Sequence, residues 1–196
     1  EQYKRVYAEV NLDAVHYNME QMRQKTAPDT RIMGIIKADG YGHGAVQIGR
    51  ELETLDYVFG YGVATAEEAF ILREAGLHKP ILVLGYTFPY AYEEMIEKEI
   101  RPAVFRYDTL DELNACAERL GKNAKIHIKV DTGMSRIGIR PDESGLQFVK
   151  KALSCEALEV EGVFTHFAKA DEADKTSAYR QIDLMSQFID KAEADT

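Results

Sequence analysis

The chain has 196 residues, 45% of them hydrophobic and 29% charged, a balance that suits a globular protein with a sizeable core. Its net charge of −9 argues against broad contact with nucleic acid or an anionic membrane, both of which draw on cationic patches. The 5 histidines and 2 cysteines show no metal-ligand spacing, no apolar run approaches the roughly 20 residues of a membrane span, and the charged start is unlike a signal peptide. Cys116 and Cys155 read as buried thiols of a reducing compartment, so the expectation is a cytoplasmic protein without a metal.

Residues 5–12 alternate like a half-buried strand and run into a helical pattern with Asp13 placed as its N-cap. A rhythm follows. Apolar runs at 32–36, 57–63, 81–84, 102–105, 126–130 and 160–167 each read as a short buried strand, and each is followed by a helix-period stretch. Three such stretches are 45–52, 65–75 ending at Gly76, and 110–120 ending at Gly121, with glycine just past the last turn. The last helix, 176–194, carries an apolar stripe of Tyr179, Ile182, Met185, Ile189 and Ala192. Near-continuous apolar strands alternating with helices imply a parallel sheet covered on both faces. Of the two architectures that do this, six βα units fit a (β/α)8 TIM-barrel type truncated after about six units. On this reading residues 1–196 are one incomplete barrel domain, with the seventh and eighth strands absent.

Functional groups of such folds stand at the carboxyl ends of strands. The first strand ends in Lys37-Ala-Asp-Gly-Tyr41-Gly-His-Gly44. A lysine directly after a buried run sits where desolvation lowers an amine's pKa and frees it as a nucleophile. The plain alternative is a lysine that reaches solvent. Gly40, Gly42 and Gly44 allow close backbone approach to a ligand before the next helix. The same glycines half-match a dinucleotide fingerprint, but the last glycine and the distal acid of that motif are missing.

The fifth strand ends in Lys129-Val-Asp-Thr-Gly-Met-Ser-Arg136, where the arginine suits bidentate capture of a carboxylate or, alternatively, pairs with a surface acid. Lys37, Lys129 and Arg136 at one barrel mouth would repel unless an anion sat among them. The sixth strand ends in Thr165-His166-Phe167-Ala168, whose histidine faces either a ligand or the core.

In order, spacing and strand position, these three strings together resemble the alanine racemase family, and the opening Ala8-Glu-Val-Asn-Leu-Asp-Ala-Val-x-Tyr-Asn looks like the start of those enzymes. The resemblance runs nearly end to end. It implies pyridoxal 5'-phosphate (PLP) as cofactor. Lys37 would carry it covalently and act as one of two bases at the substrate's α-carbon. Tyr41 would reach the cofactor phosphate. Arg136 would hold the cofactor's phenolic oxygen and the substrate carboxylate. Lys129 matches a position carboxylated by carbon dioxide in many relatives, and His166 would lie beside the cofactor, against the arginine that faces its pyridine nitrogen.

The resemblance further implies a homodimer that interconverts L-alanine and D-alanine for peptidoglycan precursors. The second base would be a tyrosine from the partner's C-terminal domain, so this stretch alone is expected to be inactive. Other readings are a serine racemase or another PLP barrel, a nicotinamide-dependent oxidoreductase on a doubly wound sheet, and a non-catalytic barrel that binds protein subunits.

Overall fold

The computed structural model describes residues 6–194. The chain divides after Leu82 into two compact units. In the first, helix α1 spans Leu12–Arg23, and the Asn11 side chain accepts from the Ala14 amide at 3.1 Å. Asn11, not Asp13, is therefore the N-cap; Asp13 falls in the first turn, where its charge still favours the helix dipole. The strand expected at 5–12 does not form over residues 6–11, and Arg5 lies outside the described residues. Val6 is 82% exposed and Tyr7 66% exposed, and an alternating pattern sets a strand only where one face is buried.

Strand β1 (Ile32–Ile35) pairs in parallel with β2 (Val58–Val63), with Gly34 opposite Tyr61 and Ile35 opposite Gly62. Helix α2 (Ala45–Glu53) covers them and lays Leu52 over Gly34. Helix α3 (Ala66–Glu74) follows β2, capped by Thr65, whose hydroxyl accepts from the Glu68 amide. Gly60 marks the tightest approach in this unit: a Cβ there would lie 2.1 Å from the Pro80 carbonyl oxygen, just ahead of β3 (Ile81–Val83). Tyr61 is wholly buried and donates to the Gly49 carbonyl at 2.9 Å and to the Glu53 carboxylate. Burial first, and Glu53 second, hold its phenol far above the ordinary value, so it stays a neutral donor.

In the second unit a 3-10 turn at Pro89–Ala91 leads into the short helix α4 (Tyr92–Glu97). Strands β4 (Ile100–Val104), β5 (Ala124–Lys129) and β6 (Leu158–Phe164) then pair in parallel and in chain order. Helix α5 (Tyr107–Leu120) ends on Gly121 in the left-handed conformation, as its sequence predicts. Helix α6 is Glu143–Leu153 and α7 is Thr176–Ala194. On β5, Ala124, Ile126 and Ile128 join Leu110, Leu113, Phe148 and Phe188 in one apolar core. Alternation sends Lys125, His127 and Lys129 to the opposite face of the sheet.

That opposite face is polar. Glu161 of β6 receives Arg101 of β4 in a fork at 3.0 and 3.1 Å, His127 at 3.0 Å, and the Lys125 ammonium at 3.3 Å. Burial alone would raise the Glu161 carboxyl, but the hydrogen bonds from Arg101 and His127 outweigh it and hold the group at about 2.

The face of α7 differs from the expected stripe. Gln181 and Phe188 are buried, and Met185 and Ala192 pack on the core, whereas Tyr179 is 65% exposed and Ile182 48% exposed. The buried line therefore runs through 181, 185, 188 and 192. A polar residue heads it because the loops above the strands offer that residue hydrogen bonds.

Candidate active site

In the first unit, the carboxyl end of β1 opens into a turn with unusual backbone. Ala38, Asp39, Gly40 and Tyr41 all have φ between 51° and 62° and ψ between 37° and 49°, a full left-handed turn. Three of these residues are not glycine, and each such conformation costs on the order of 1–2 kcal/mol. Local bonds hold the turn in place. The Gly40 amide donates to the Ile36 carbonyl at 2.9 Å and the Gly44 amide to the Asp39 carbonyl at 2.8 Å. Asp39 Oδ1 accepts from the Ala45 amide at 2.8 Å, joining the turn to the start of α2.

Lys37 stands at the head of this turn, half-buried. Its Nζ lies 5.9 Å from the centre of the Tyr41 ring, and Tyr41 is 61% exposed. The two residues read from the sequence are thus brought side by side. Beyond them, the space where a Gly42 side chain would stand is open for 4 Å.

Glu68 secures the same turn and was missed in the sequence. Its Oε1 accepts from the Ala38 amide at 2.8 Å and its Oε2 from the Ala64 amide at 2.7 Å. One carboxylate therefore clamps the loops after β1 and β2. The signal was present: Thr65-x-x-Glu68 is a capping-box sequence, whose glutamate reaches back past the helix start.

In the second unit, Lys129 ends β5 with only 3% exposure. Its Nζ donates to the Val130 carbonyl at 2.8 Å and lies 5.6 Å from the centre of the Phe164 ring. Burial pulls its pKa below the ordinary lysine value; Asp131 opposes the shift and Arg136 adds to it. The loop that follows is closed at its base by a bridge between Val130 and Ile139, through Asp131 amide to Ile139 carbonyl (2.8 Å) and Ile139 amide to Lys129 carbonyl (2.9 Å). Asp131 Oδ1 caps the amides of Gly133 and Ser135 at 3.1 and 2.9 Å.

Arg136 projects from this braced loop into solvent and forms no salt bridge among the described residues. His166 lies just past β6, exposed, and its carbonyl accepts from the buried Gln181 side chain at 3.0 Å. Gln181 also reaches Thr132 in the Arg136 loop. Nothing in the sequence flagged Gln181, since a glutamine in an amphipathic helix ordinarily marks the wet face.

The first unit presents an amine on a strained glycine-rich turn, and the second presents a buried amine beside a braced loop that bears an arginine. A family model described as "Alanine racemase, N-terminal domain" matches residues 10–196. Alanine racemase 1 of Oceanobacillus iheyensis is 46% identical over 194 residues, covering 97% of this chain and 50% of that protein. The alanine racemase of Methanococcus maripaludis is 39% identical over 188 residues, covering 96% and 50%. Among solved structures, alanine racemase of Clostridium difficile superposes with a TM-score of 0.96 at 37% identity, over 100% of this chain and 51% of that one. The chain spans about half the length of the curated relatives it matches.

Proposed function

Since the chain belongs to the alanine racemase N-terminal domain family, we propose that the protein carrying it is a PLP-dependent racemase interconverting L-alanine and D-alanine. The reading places it in the cytoplasm, supplying peptidoglycan precursors, and as a homodimer. The observation that carries it is Lys37, half-buried at the carboxyl end of β1 on a left-handed turn held by a set of hydrogen bonds. Backbone strain of this kind persists where a functional geometry is over-determined.

The residues present fit the cofactor. Open space beside Gly42 leaves the backbone approachable, Tyr41 flanks the Lys37 amine, and Arg136 supplies a fork for an oxyanion. When bound, PLP withdraws electrons from the amino acid's α-carbon and makes its proton removable. Lys37 would be the covalent tether and, once its amine is free, the base on one face of that carbon. Tyr41 would donate to the cofactor phosphate. Arg136 would grip the substrate carboxylate and the cofactor's phenolic oxygen with the two arms of its fork.

His166 would lie beside the cofactor and steady the arginine opposite the pyridine nitrogen. Lys129, held in a buried setting that favours the neutral amine, would add carbon dioxide. An N–C bond forms, a proton leaves to solvent, and the resulting carbamate anion would orient Arg136. Taking the proton from one face and returning one to the other needs a second base, which the family draws from the partner's C-terminal domain.

The test is chemical. The full-length protein is incubated with PLP, reduced with borohydride, digested and mapped by mass spectrometry. A pyridoxyl group on Lys37 alone is expected. A tag spread over surface lysines, or none, would sink the reading, and preferential dinucleotide binding would replace it with an oxidoreductase.

A further inference from the structure

Gln181 has a surface residue's chemistry in a core residue's setting. It lies in α7 with 2% exposure, and its amide is fully engaged. Nε2 donates to Thr132 Oγ1 at 2.9 Å and to the His166 carbonyl at 3.0 Å, while Oε1 accepts from the Ala168 amide at 2.9 Å. Thr132 Oγ1 also pairs with Thr165 Oγ1 at 2.8 Å. Gly133 packs on the same side chain, within 3.5 Å of where its Cβ would stand. One amide thus joins the loop after β5, which bears Arg136, to the segment after β6, which bears His166. A buried network that is fully satisfied specifies a single geometry, because a slip of either loop leaves donors unpaired.

We infer that Gln181 is a positioning residue that sets the spacing of the Arg136 loop against the His166 segment, and through Arg136 the grip on the substrate carboxylate. The part about substrate rests on the racemase reading; the part about loop order does not. Arg136 is exposed and braced at the base of its loop, so its placement depends on what holds the loop's flank. Thr132 and Gly133 form that flank, and Gln181 is what they lean on.

Three variants of the full-length protein separate positioning from plain stability. Gln181→Leu keeps the volume and removes all three bonds. Gln181→Glu keeps the acceptor for Ala168 and removes both donations. Phe188→Leu, two turns along the same helix in the apolar core, weakens packing without touching either loop's hydrogen bonds. The first readout is native trypsin cleavage after Arg136, which follows local opening of the loop. Both Gln181 variants are expected to be nicked there about ten-fold faster than wild type, and Phe188→Leu no faster than its loss of melting temperature explains.

The second readout is steady-state kinetics. KM for alanine is expected to rise about ten-fold in the Gln181 variants, with kcat changed less, and to stay at the wild-type value in Phe188→Leu. Wild-type cleavage at Arg136 in both Gln181 variants, or an equal rise in a Phe188→Leu protein of matched melting temperature, would overturn the inference. A wild-type protein that does not racemise alanine would defeat the racemase reading instead, and the cleavage rates would still decide the role of Gln181.

Discussion

Lys129 carries an amine into surroundings where an ammonium is costly, and the cost has a sign that can be followed. Its folded-state pKa lies below the ordinary value of 10.5, so the folded chain holds that proton less tightly than the open chain does. Burying the charged form therefore subtracts stability at low and neutral pH. The deficit shrinks as pH rises through the depressed value and vanishes above the ordinary one. In carbonate-free buffer, the denaturant midpoint of the full-length protein should climb as pH rises toward the ordinary lysine value of 10.5, and that of Lys129→Met should stay flatter. In ¹³C-labelled bicarbonate a carbamate carbon resonance should appear in wild type and be missing from Lys129→Met. Parallel pH profiles would remove the buried amine as the cause, and a resonance that survives the substitution would assign the carbamate to another lysine.

At the scale of elements, the strands and helices were the legible part, and the turns that hold the site were not. Short apolar runs marked β1 to β6 to within a few residues, although β4 to β6 turn Arg101, Lys125, His127 and Glu161 to a polar face that the runs did not announce. The glycines after Lys37 announced close backbone approach, but the left-handed φ of Ala38, Asp39 and Tyr41 could not be read, since those residues gain nothing from it on their own. What compels it is tertiary: the Ala38 amide is drawn to Glu68, thirty positions away.

The stripe on α7 failed for a similar reason. Hydrophobic period chose Tyr179 and Ile182, whereas hydrogen bonds to two loops turned Gln181 inward. This gives Glu68 a testable weight. In Glu68→Gln one carboxylate oxygen becomes an NH₂ that cannot accept, so one of the Ala38 and Ala64 amides loses its partner at a cost of about 1–3 kcal/mol. The turn should loosen, with PLP affinity falling about ten-fold and the denaturant midpoint dropping with it. Undiminished affinity in that variant would show that the strained turn is not what presents Lys37 to the cofactor.

For the chain as a whole, the parallel α/β class, the six strands and the family were all readable, because each rests on patterns repeated along the sequence. The roles proposed for Lys37, Tyr41, Lys129, Arg136 and His166 rest on the family's chemistry. Racemisation requires that the α-proton leave one face of the carbon and that a proton arrive on the other, so one base suffices only if it crosses the plane of the bound substrate.

On the racemase reading Lys37, at the end of β1, would serve one face. The family takes its second base from the C-terminal domain of the partner, and this chain spans about half the length of its relatives. Among the described residues β6 pairs with β5, and Val160, Val163, Ile189 and Ala192 line an apolar groove beside it. The purified 196-residue chain is therefore expected to turn over alanine at least about a thousand-fold more slowly than the full-length protein, a loss in line with removing a general base. The comparison is D-alanine formed from L-alanine at saturating PLP, with each protein at equal concentration. Turnover by the short chain within ten-fold of the full-length rate would mean that a single residue of this half, with Lys37 the first suspect, works both faces.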